Sequence, residues 1–149
     1  MTIQFKYRVA TPTGSPPAPV QTVDLCAATD VLLGGFKHGW QRNVAVEEFL
    51  RGAEVQTFDR GNHRTDFSFT VSKLFPTVWQ AREQILIAAS ALATVNGVLL
   101  LHNTGGPSSG FVLYCKGALN GGDAYHLGVT TFQSFTFVGG KVTRTMPTL

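Results

Sequence analysis

The stretch Arg64 to Lys73, RTDFSFTVSK, places Thr65, Phe67, Phe69 and Val71 on one face and Asp66, Ser68, Thr70 and Ser72 on the other. That period of two is the mark of a strand with one core face and one wetter face. Less regular versions of the pattern recur along the chain. Met1 to Ala10 (MTIQFKYRVA) alternates with Lys6 and Arg8 inside the alternation, and Val20 to Leu25 and Val31 to Phe36 read as short strands, with Gly34-Gly35 as a bend or bulge in the second. From Val44 to Phe58 the pattern suggests two strands joined at Arg51-Gly52, although VAVEEFLR could also begin a helix. GVLLLHN and GFVLYCKGAL, separated by GPSSG, read as a hairpin. LGVTTFQSFTFV reads as a strand that turns at Gly139-Gly140 into KVTRTM.

One segment breaks the rule. Val78, Ala81, Ile85, Ala88 or Ala89, and Leu92 recur at the three-to-four spacing of an amphipathic helix, with Pro76 near a first helical position. The spacing predicts a helix over Thr77 to Ala93, and Asn96-Gly97 then leads into the next strand. Eight or nine strands with a single mid-chain helix exclude a parallel α/β fold, which needs strands and helices in alternation throughout. The expected fold is mainly β (α+β), an antiparallel β-sandwich or half-barrel with one flanking α-helix.

The 149 residues fit one domain, 1–149, and no internal repeat is present. TPTGSPPAPV gathers four of the seven prolines, Pro12, Pro16, Pro17 and Pro19, into a stretch that can neither continue a helix nor donate regularly to a sheet. It reads as an extended arm or loop over residues 11–20, too short to link domains. Hydrophobic residues make up 44% of the chain and charged ones 14%, against roughly 25% charged in an ordinary soluble protein. Core material is ample, disorder throughout is excluded, and the sparsely charged surface favours a subunit covered by neighbours.

The net charge of +3 comes from basic residues scattered between Lys6 and Arg144 with no two adjacent, so the sequence shows no nucleic-acid footprint. Cys26 and Cys115 form neither a CxxC pair nor a disulfide framework and are expected as buried free thiols. Met1 to Ala10 lacks the apolar run of a secretory leader, and Ile85 to Leu101 is interrupted by Ser90, Thr94, Asn96 and Gly97, so no membrane span is expected and the product reads as made in a cytoplasm.

Catalytic constellations are sparse. Glu47 and Glu48 are adjacent, so on a strand they would point to opposite sides, and Glu54, Asp59, Asp66, Glu83 and Asp123 suggest solvent faces rather than a converging pair. His38, His63, His102 and His126 show no HxH or HExxH spacing for a metal. Asp123 and His126 could join Ser108 or Ser109 in a triad on paper, but no GxSxG elbow accompanies them. Asn120-Gly121-Gly122-Asp123 precedes no helix with a phosphate-binding start and reads as a β-turn. No cofactor is implied. Phe58 to Thr65 reads as a polar turn, in which Gly61-Asn62 favours a left-handed backbone and Arg60, His63 and Arg64 supply donors. It serves either as a solvated hairpin or as a turn docking on a neighbouring subunit.

Arg60-Gly61-Asn62-His63-Arg64, followed by the alternating strand Thr65 to Val71, the amphipathic helix Val78 to Leu92 and the strand Val98 to Leu101, resembles small tail proteins of tailed bacteriophages, built on the fold shared by tail-tube and distal-tail (tail-adaptor) proteins. The likeness covers roughly residues 55 to 138, in pattern more than identity. It implies a non-enzymatic subunit of the virion tail whose sheets join those of neighbours into a ring, commonly sixfold, with DNA passing transiently through the channel. Partners would then be further copies of the chain and neighbouring tail proteins. The Pro-rich arm (Pro12, Pro16, Pro17, Pro19) and the Arg turn (Arg60, Asn62, His63, Arg64) would be its interface elements. The basic balance departs from the acidic channels usual in that family, which leaves the tube, adaptor and terminal-ring positions all open. The competing expectations are a small hydrolase using Asp123 and His126, and a monomeric β-barrel that binds a ligand.

Overall fold

A computed structural model describes residues 1–48, 55–92, 96–107 and 110–149; the side chains at 43, 45–48, 55–60, 62 and 87–92 lie outside that description. Its elements are β1 (Thr2–Tyr7), β2 (Gln21–Cys26), β3 (Val31–Glu48), β4 (Val55–Leu74), α1 (Val78–Leu92), β5 (Asn96–Asn103), β6 (Phe111–Gly121), β7 (Ala124–Leu127) and β8 (Thr130–Thr143). The strands make one antiparallel sheet in the order β2-β1-β5-β6-β8-β4-β3, with β7 pairing β8 beside the end of β6. The chain is thus mainly β with one helix, as the alternation predicts. Among the described residues no helix is long and apolar enough to cross a membrane.

Topology forces the sheet to roll. β2 and β3 lie at opposite ends of the strand order, yet they are consecutive in the chain. The turn between them is closed by Asp30 N–H donating to the Ala27 carbonyl (3.1 Å) and Ala27 N–H donating to Asp30 Oδ2 (2.8 Å). Lys73 Nζ on β4 reaches across to the Asp24 carbonyl on β2 (3.1 Å) and to Asp30 Oδ2 (3.5 Å). The two edges therefore meet at this end without pairing as strands, which leaves an open half-barrel.

The concave face is the core. Ile3, Phe5, Leu99, Cys115, Val71 and Phe137 are wholly buried. Phe5 on β1 and Phe137 on β8 are separated by β5 and β6, about 14 Å in a flat sheet, yet their rings stand 6.4 Å apart because the sheet curls. The contacts continue from Phe137 to Phe67 (6.2 Å), and Phe36 packs on Phe67 and Phe69. Thr65, Phe67, Phe69 and Val71 all face this core, as expected.

Three local expectations are corrected. Gly139-Gly140 is no hairpin turn, because β8 runs through it and neither glycine has the positive φ that a two-residue turn of that type requires. A Cβ at Gly139 would stand 2.7 Å from both Cys115 Sγ and the Lys116 carbonyl, so this glycine is needed for close approach between β6 and β8. The turn that reverses the chain is Gly128-Val129, between Leu127 and Thr130. Asn120 and Gly121 end β6 and Gly122-Asp123 join it to β7 alongside β8, with Ser134 N–H donating to the Asp123 carbonyl (2.7 Å), so this segment is not a free β-turn. Phe58 to Thr65 is likewise no turn. It lies inside β4, where Arg42 pairs His63 and Val44 pairs Asp59, so three residues of β4 oppose one of β3, with Gly61 at φ 81° in the bulge. The left-handed preference of Gly61 is real; it bends a strand instead of ending one.

The helix begins one residue inside the predicted start. Thr77 caps it, its Oγ1 accepting from Gln80 N–H (3.2 Å), so Pro76 precedes the cap. Ala81 is fully buried, and the helix packs on β7 and β8. Val78 is exposed and Ile85 is outside the concave core cluster, while Leu92 and Ala93 fall beyond what is described of side chain and backbone.

Candidate assembly interface

The elements predicted to face neighbours are edges and projections of this half-barrel. The Pro-rich segment is the loop of the β1–β2 hairpin. Pro12, Pro16, Pro17 and Pro19 are exposed, and the loop is held by Ser15 N–H to the Pro12 carbonyl (3.1 Å) and by Arg8 Nη1 to the Ala18 carbonyl (3.0 Å). Tyr7 Oη closes its base by donating to Gln21 Oε1 (2.8 Å). Proline withholds its N–H, so this loop has few ways to order itself.

The second element is longer. β3 spans 18 residues and β4 spans 20, but β8 supports β4 only from Thr65 to Leu74. Beyond Thr65 the two strands pair only with each other, out to Glu48 opposite Val55, and form a two-stranded ribbon that leaves the sheet. The link between them, residues 49–54, lies outside the described residues, and with it the predicted join at Arg51-Gly52. The outer side of β3 pairs with no described strand along its whole length. Bulges at Gly34–Phe36 and at Asn43 interrupt this edge, but its span still exceeds the usual strand of about 5 to 6 residues.

At the root of the ribbon His38 stacks on Phe67 at 4.5 Å, Trp40 stands opposite Thr65 and is 70% exposed, and Arg42 is paired in register with His63. Arg64 Nε donates to Asp66 Oδ1 at 3.2 Å, with both side chains well exposed. Arg60 and Asn62 lie in the bulged part of β4, and their side chains are outside the description. The structure therefore gathers Arg60 to Arg64 on one ribbon and places the Pro-rich loop on another hairpin, so the two predicted interface elements are separate.

Sequence reading missed Trp40 and the apolar end of the molecule. Leu74 and Leu127 both stand opposite Thr130, and the N-terminus of α1 follows directly, since Phe75 N–H donates to the Val129 carbonyl (2.9 Å). Leu74, Trp79, Leu86 and Leu127 are each more than two-thirds exposed. Trp79 and Leu86, seven residues apart, fit the helical period, but that period does not say whether a face is covered.

The residues of the candidate triad are described only in part. His126 Nδ1 lies 3.2 Å from the Gly128 carbonyl, Asp123 is exposed, and Ser108 and Ser109 lie outside the described residues. Among the described residues no three His, Cys, Asp or Glu side chains could share a metal ion. Cys26 and Cys115 are buried free thiols. Burial pushes Cys115 up to about 11, and burial followed by the Asp30 carboxylate raises Cys26, so both stay protonated and unreactive at neutral pH.

Fold and site together define an open antiparallel half-barrel with a projecting edge ribbon. No protein-family model matches the chain, and no curated protein matches it in sequence.

Proposed function

We propose that the chain is a non-enzymatic structural subunit of a bacteriophage tail, forming a homo-oligomeric ring around the DNA channel at the tube, distal-tail or tail-terminal position. The observation that carries this reading is the outer edge of β3, 18 residues long with two bulges and unpaired among the described residues, running into a ribbon that no third described strand supports. Unpaired N–H and C=O groups in such a row template addition of another chain, and a two-stranded ribbon is marginal in water on its own. Exposed Trp40 beside that edge adds apolar area that a neighbour would bury. The reading agrees with the resemblance carried by residues 60–101 and places the protein in the virion, with copies of itself and neighbouring tail proteins as partners. Negative-stain images of the purified protein, alone and with the products of neighbouring genes, test it. Rings with a central hole are expected, commonly sixfold, whereas dispersed single particles in every mixture would overturn it.

A further inference from the structure

The convex face of the sheet carries an uncharged apolar area at the Leu74 end of β4. Val71 is buried in the concave core, so Ser72 points to the convex side. Strand register sets Tyr125, Phe132, Ser72 and Val31 in one row with it across β7, β8, β4 and β3, and Leu127, Thr130 and Leu74 in the next row. The Tyr125 and Phe132 rings stack at 5.0 Å, which puts both on one side of the sheet. Leu74, Leu127, Tyr125 and Val31 are each more than half exposed, so α1, although packed on β7 and β8, leaves them open. Neither row contains a charge. Their polar side-chain groups are the Tyr125 phenol and the hydroxyls of Ser72 and Thr130.

One segment of the same chain matches that area in charge, conformation and length. Residues 9–23, the β1–β2 loop and its base, carry no charge. Pro16, Pro17 and Pro19 have their own φ fixed by the ring, and Ser15, Pro16 and Ala18, each preceding a proline, are pushed to extended backbone. Residues 15–20 are thereby set as a short polyproline II run, about 15 Å long. The two rows cross four strands, about 14 Å. Pro16, Pro17, Pro19 and Val20 are exposed, so their own subunit does not cover them. Proline-rich runs dock on aromatic surfaces because their conformation is set in advance and little entropy is lost on binding. Their carbonyls accept while their prolines offer no N–H, and hydroxyls such as those of Ser72, Thr130 and Tyr125 are the donors that suit them.

We infer that the convex area formed by Val31, Leu74, Tyr125, Leu127 and Phe132 is the seat of the proline-rich run, residues 15–20, of a second copy of this chain. The inference rests on the reading of the chain as a self-assembling subunit and names a contact for it. Both surfaces are neutral, so two chains of net charge +3 meet there without opposing like charges. For the same reason the contribution of this contact changes little with salt.

Analytical ultracentrifugation of the full chain at low and high salt tests the inference. Tyr125→Thr with Leu127→Thr removes two exposed apolar side chains from the area and keeps strand-forming residues. Pro16→Ser, Pro17→Ser and Pro19→Ser together free the run without adding charge. Each variant is expected to associate about tenfold more weakly than the parent at either salt concentration. The chain carrying both sets should be no weaker than the weaker of the two, because both remove the same contact. An equimolar mixture of the two variants should associate more strongly than either alone, since each supplies the half that the other lacks. If the area variant melts lower than the parent, Leu74→Thr takes its place, with a smaller loss expected. Association of either variant at the parent's strength would overturn the inference and leave the subunit reading standing, as would loss in the area variant alone, which would give the area to a different partner. Losses that add in the combined chain, or a mixture no stronger than its components, would also overturn it. A parent that stays monomeric alone and with the products of neighbouring genes would overturn both readings.

Discussion

Phe69 is nearly fully buried and packs on Phe36 and Phe135 with ring centroids 5.9 and 5.4 Å away. Truncation to alanine removes those contacts and leaves a cavity that a curled sheet cannot readily close. Phe69→Ala is expected to cost about 3 to 5 kcal/mol, read as a drop in thermal midpoint; an unchanged midpoint would mean that the concave face is not the core. Cys115 gives a prediction in pH. Its thiol titrates near 11 when folded, above the ordinary 9.0, because burial disfavours the thiolate. The folded state therefore holds its proton more tightly than the unfolded chain does. The resulting stability is complete below pH 9 and lost as pH rises through 11, by up to roughly 2.7 kcal/mol. Denaturant titrations between pH 8 and 11 should show that slope in the parent and a shallower one in Cys115→Ala, and equal slopes would contradict it. Arg64 is a quieter residue. Its pair with Asp66 is exposed on both sides, so Arg64→Glu should change the stability of the isolated subunit by under about 1 kcal/mol. A larger change in assembly would place Arg64 at an interface.

At the scale of elements, what was legible in the sequence is what local periodicity carries. The alternation from Thr65 to Val71 named the buried face correctly because each second residue of one strand meets the same core. The helix and the β5–β6 hairpin were legible for the same reason. Glycine was the commonest source of error. Gly139 and Gly61 carry the residue type of a turn, but one admits a neighbouring strand and the other bends a strand that continues. Close approach and strand bulging depend on residues distant in sequence, which a local pattern does not contain. The candidate interface was half legible: Pro12 to Pro19 was read as a projecting loop, while the ribbon, its open edge and Trp40 come from pairing between β3, β4 and β8. Deleting Pro12 to Pro19 from the hairpin loop should leave the melting temperature nearly unchanged, because the segment contributes little buried area, while weakening assembly. Full assembly of the deletion would remove the loop from the interface.

For the whole molecule, a rolled sheet solves the problem of the core without solving that of its edges. Curling brings Phe5, Phe137 and Phe67 together and seats Lys73 against Asp24 and Asp30, yet among the described residues no strand pairs the outer side of β3 or supports its ribbon. Leu74, Trp79 and Leu127 add a second surface that water covers poorly in an isolated subunit. On the proposed reading such a molecule is completed by copies or neighbours, and the mass of the native particle tests this most directly. Native mass spectrometry across a concentration series, alone and with the products of neighbouring genes, should give integral multiples of the 16.1 kDa chain, with a discrete ring-sized species dominating at high concentration if the proposed subunit role holds. A single 16.1 kDa species under every one of those conditions would contradict the account.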